Sequence, residues 1–96
     1  MLSHWKQLPP YERRRYLSLI AGDVIRKRLH IRTTKQIGAS VDKRLLQEER
    51  NLRQFLYSML ELEDKEKLDY WAKDNSPDTE LRICIKQMRE EYETYE

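Results

Sequence analysis

Cys84, His4 and His30 are the side chains on which nucleophilic or metal chemistry would most readily be built, and their spacing supports neither. The two histidines stand far apart in the chain, and neither lies at a metal-ligand spacing. Cys84 has no CxxC partner and no nearby histidine. Set between Ile83 and Ile85, it reads as a small core or boundary residue. Carboxylates are plentiful, but they fall on faces expected to be exposed, where charge is simply solvated. With two glycines in the chain there is no Gly-rich phosphate loop. The sequence therefore predicts no catalytic residue, no metal ligand and no cofactor site.

Binding chemistry is better supplied. Residues 1–54 hold 13 Lys/Arg against 5 Asp/Glu, whereas residues 55–96 hold 6 against 12. Such a split points to an acidic or nucleic-acid partner for the basic half, or to two halves that neutralise each other. The basic residues cluster as Arg13-Arg14-Arg15, Arg26-Lys27-Arg28 and Arg32. On a helix three consecutive arginines fan over most of a turn, so they cannot all face one partner. Arg15 and Arg26, eleven apart, share a side, and Arg28 and Arg32 form a second row. Eight of the nine aromatic residues are Trp or Tyr, whose apolar bodies and polar tips suit binding surfaces and core rims alike. These features single out Tyr16, Tyr57, Tyr70 and Trp71 as candidate anchors, with Arg14, Arg15 and Lys27 steering an acidic segment. Thr34 to Val41, with a glycine in the turn, also admits a helix-turn-helix reading and hence a nucleic-acid partner.

The elements that must position these residues are helices. Leu, Glu, Lys, Arg and Gln dominate, all good helix formers, and three prolines with two glycines leave few tight turns. Trp5 to Pro10 is expected to be an extended lead-in, since Leu8-Pro9-Pro10 disfavours helix before the second proline. A helix is expected over Tyr11 to about Leu29, with Leu17, Ile20 and Val24 inward and Tyr16, Ile25 and Leu29 widening the stripe. Gly22 offers a place where another helix could approach closely. His30 to Ala39 reads as a connector, with a short turn over Lys35 to Ile37 capped by Thr33 or Thr34 and ended at Gly38. Ser40 offers a cap for a helix over Val41 to Leu60, inward at Val41, Leu45, Leu52, Phe55, Leu56 and Met59. Positions 45, 52 and 59 repeat by seven, which also allows a dimer. Asp64 can cap a third helix that buries Leu68 and Trp71 and ends near Asp74. Ser76-Pro77 caps the last, about Pro77 to Tyr92, inward at Leu81, Ile85, Met88 and Tyr92. The prediction is a single all-α domain over residues 1–96, a three- to four-helix bundle.

Trp5-Lys6-Gln7-Leu8-Pro9-Pro10 followed by Arg13 to Arg15 resembles the opening of KIX domains from plant-type Mediator tail subunits. Glu49, Leu52, Leu56 and Tyr57 are similar to that family's middle helix. The resemblance covers roughly residues 5–29 and 45–60 and departs at Ser76-Pro77, where the family has a long third helix. It implies a three-helix module that accepts an amphipathic, often acidic helix in an apolar groove, and it transfers no binding residues. The expectation is a non-enzymatic protein–protein interaction module in transcription regulation. No stretch approaches the roughly 18 apolar residues of a membrane span, and residues 1–6 lack the apolar block of a secretory signal. The expected location is intracellular, nuclear or cytoplasmic.

Overall fold

The computed structural model describes residues 2–73 and 79–95, with side chains over 4–73 and 79–92. Described residues form five helices and no strand: α1 (Leu2–Gln7), α2 (Pro10–Gln36), α3 (Lys43–Leu60), α4 (Lys65–Trp71) and α5 (Thr79–Tyr95). The fold is an all-α bundle.

The lead-in is helical rather than extended. The proline rule restricts only Leu8 and Pro9, and Pro9 is indeed extended at φ −59 and ψ 150. The residues before it are free to turn, and α1 buries Trp5 against the core, its ring centroid 5.7 Å from that of Tyr16 in an edge-on arrangement. Arg13 locks the junction that follows. Its Nη1 donates to the Leu8 carbonyl at 2.7 Å and its Nε lies 3.0 Å from Glu63 beyond the far end of α3. Their side chains are only 10% and 3% exposed.

α2 runs seven residues past the expected end at Leu29, absorbing most of the expected connector. Its 27 residues span about 40 Å. Past Leu29 no proline or glycine interrupts the chain until Gly38, which takes φ 80 and lets the backbone leave the helix. Thr34 does not cap a new turn; its hydroxyl donates to the His30 carbonyl one turn back, as a mid-helix threonine does. The short first helix that a helix-turn-helix needs is therefore missing, because residues 34–36 are the last turn of α2. Gly22 is buried, but a Cβ there would meet only Arg26 of its own helix, at 3.4 Å. The close approach is made one residue earlier, where Cys84 of α5 lies 4.0 Å from the Ala21 carbonyl.

The cap of α3 is Asp42, not Ser40: the Asp42 carboxylate accepts from the Arg44 amide at 2.8 Å. Asp42→Ala is expected to cost about 1 kcal/mol of stability, and Ser40→Ala less than about 0.5 kcal/mol. Paired urea denaturation curves check the difference.

The core gathers Leu17, Ala21 and Val24 from α2, Leu56, Tyr57, Met59 and Leu60 from α3, and Leu68 and Trp71 from α4. Leu81, Cys84, Ile85 and Met88 come from α5. The α4 and α5 stripes fall as their spacing predicts, except that Tyr92 is half in water. Tyr16, Leu29 and Phe55, assigned to inward stripes, are exposed, since the buried stripe of α2 is the narrower 17/21/24 row and that of α3 runs through 56, 57, 59 and 60. Met59 lies in the core and Leu52 packs against it, so most of the heptad is used within the chain. The Ser76-Pro77 cap lies outside the described residues.

Candidate docking groove

The inward row of α2 steps from Leu17 to Ala21 to Val24, and the same steps of four and three continue to Arg28, Ile31 and Lys35. On α3, counting back from Leu60, the matching steps reach Leu56, Arg53, Glu49 and Leu46. The two helices pack antiparallel, with Arg13 beside Glu63 at one end and Lys27 beside Glu48 at the other. Both rows thus change from apolar to charged at the same height. There Arg28 and Arg53 each hold Glu49 at 3.4 Å. Glu91 of α5 joins them, 3.7 Å from Arg28 and 3.4 Å from Arg53, and Gln87 accepts from Arg28. Glu49 is 8% exposed and each arginine 25%. A carboxylate so buried is tolerable because two guanidiniums stand against it and answer its charge.

Past this cluster the α2–α3 surface opens into a groove of about 650 Å³. Ile31 and Leu46 supply its apolar part, and Arg32, Lys35 and Arg50 stand around them. Among the described residues no carboxylate lies in ion-pairing range of those three, and α5 lends the groove only Gln87. With Arg28 and Arg53 at the inner wall, five cations surround one acid, Glu49, which is already committed. Such a surface attracts anions at range, and its guanidiniums can grip a carboxylate or phosphate in the plane of two N–H bonds.

The candidate residues named from sequence do not form one surface. Arg14 lies over the Tyr70 ring at 5.7 Å, with Lys73 at 5.2 Å, so these cluster beside α4. Tyr16 packs on Trp5, and Arg15 is exposed about 25 Å along α2 from the groove. Lys27 sits 3.8 Å from Glu48 at the helix edge. Tyr57 and Trp71 are corrected: at 6% and 3% exposure both are core residues, not docking anchors. Tyr57 neighbours Leu56 and Leu60 on the buried side of α3, and α4 has only positions 68 and 71 to bury. Arg50 and Arg53 escaped notice, although the steps of three and four from Leu60 pass through Arg53.

The nucleophiles are quiet. Burial pushes the Cys84 thiol up to about 11. Tyr57 is pushed up to about 12, first by burial and then by Glu91, towards which its hydroxyl points at 3.4 Å. Tyr92 rises to about 12, mainly because its hydroxyl donates to Glu61. Among the described residues no group of three His, Cys, Asp or Glu is placed to hold a metal, and no helix is long and apolar enough to cross a membrane. No family model matches the chain, and no curated protein or solved structure is similar to it.

Proposed function

We propose that this chain is a docking module without catalysis of its own, which captures an acidic amphipathic segment of another protein in the groove between the end of α2 and the start of α3. The observation that carries the reading is the set of Arg32, Lys35 and Arg50, gathered around Ile31 and Leu46 with no carboxylate in ion-pairing range among the described residues. Apolar contact supplies area and the cations supply orientation and capture rate, a division common to recognition of amphipathic helices. The resemblance to KIX domains implies the same kind of partner and a place in transcription regulation.

Fluorescence anisotropy of a labelled peptide, with Leu and Glu at helical spacing, tests the proposal against the full chain. Arg32→Glu/Lys35→Glu is expected to weaken binding by more than about tenfold and to flatten its salt dependence. Arg14→Glu/Arg15→Glu, outside the groove, is expected to change affinity by less than about twofold. Equal affinity in wild type and the groove variant, or tighter binding of duplex DNA than of peptide, overturns it.

A further inference from the structure

Two cations belong both to the groove and to the ionic cluster beneath it. Arg28 and Arg53 line the groove and also hold α5 through Glu91. Their two carboxylate partners differ in kind. Glu49 is 8% exposed, sits on α3 with both arginines at 3.4 Å, and is largely shielded from water. Glu91 is 39% exposed, so water competes for it and its attraction is screened. A carboxylate entering the groove offers Arg28 and Arg53 the same group that Glu91 offers, from the opposite side. α5 beyond Met88 is attached by Glu91 to the arginines and the Tyr57 hydroxyl, by Arg89 to Asp69, and by Tyr92 to Glu61 and edge-on to the Tyr57 ring.

We propose, resting on the docking reading, that an acidic ligand in the groove displaces Glu91 from Arg28 and Arg53, so that groove occupancy and the seating of the end of α5 oppose each other. Glu91 is then a built-in competitor that sets the affinity of the groove. The coupling is reciprocal: whatever loosens Glu91 tightens binding, and whatever binds loosens Glu91. Glu49 remains in place throughout and keeps the two arginines aimed at the groove.

The same acidic peptide and the full chain supply the test. Glu91→Gln is expected to bind about fivefold tighter than wild type. Glu66→Gln, which makes the same charge change on α4 far from the cluster, is expected to stay within about twofold. Glu91→Asp keeps the charge and shortens the reach, so it should shift affinity the same way, by about twofold. It also keeps the test informative should Glu91→Gln fold poorly. Saturating peptide is expected to speed amide exchange over residues 88–92. Peptide that binds wild type, Glu91→Gln and Glu91→Asp alike, with exchange in α5 unchanged, overturns the coupling and leaves the docking reading standing. Peptide that binds none of them removes both.

Discussion

Trp71→Ala is expected to destabilise the protein by about 3–5 kcal/mol, the range for deleting a buried aromatic side chain. Trp71 is buried, and α4 is a seven-residue helix whose only other buried side chain is Leu68. Its N-cap residue Asp64 makes no side-chain cap bond, so packing, with the Arg89–Asp69 ion pair at 2.6 Å, holds the helix. An isolated helix this short does not persist in water. Loss of the indole therefore removes both a large contact and the reason for α4 to stay folded. Against a total stability of about 5–15 kcal/mol for a domain of this kind, the midpoint of urea unfolding should fall steeply. Tyr70→Ala, one residue away and more than half exposed, should cost less than about 1 kcal/mol. A Trp71→Ala protein as stable as Tyr70→Ala would return Trp71 to the list of surface anchors.

Arg13→Ala is the second large effect, about 3 kcal/mol or more. The substitution leaves Glu63 buried with only Lys67, at 3.9 Å, to answer its charge. The Leu8 carbonyl also loses its donor. Glu63→Ala alone should cost a similar amount, because the guanidinium is then the stranded partner. The double variant Arg13→Met/Glu63→Met should be more stable than either single change, since two apolar side chains of like volume leave no charge unpaired. Thermal unfolding of the four proteins closes the cycle. Single-variant losses below about 1 kcal/mol would mean that water screens the pair.

The residues decide how far the sequence could be read. Leu81, Ile85 and Met88 are apolar at helical steps, and Leu68 and Trp71 are the only good burial candidates in their stretch, so α4 and α5 were legible. α2 is cut short in the sequence reading because its apolar stripe ends at Leu29, and Thr33-Thr34 after a row that turns into Arg28 resembles the start of a new turn. The backbone follows a different signal: no glycine or proline occurs between Gly22 and Gly38. The groove was hidden for the same reason. Its cations occupy positions that the bundle geometry marks as inward, and only the antiparallel pairing of α2 with α3 reveals that Arg28, Glu49 and Arg53 meet. Glu91 lies 38 residues from Arg53, and no local pattern announces that contact.

The charged layer has one more consequence, for the choice of register. The core beneath it is built mainly of Leu, Ile, Met and Val, side chains that can exchange places at modest cost. Apolar packing alone would let α3 slide by one turn along α2 with little penalty. The ionic layer does not permit it. A slide in one direction brings Arg53 level with Arg28, setting two cations side by side. A slide in the other brings Glu49 level with Val24 and takes it away from Arg28, leaving a buried carboxylate with only Arg53 of its own helix to answer its charge. Four charged side chains at one end of a plain core thus act as a notch, admitting a single alignment of two long helices that would otherwise have several.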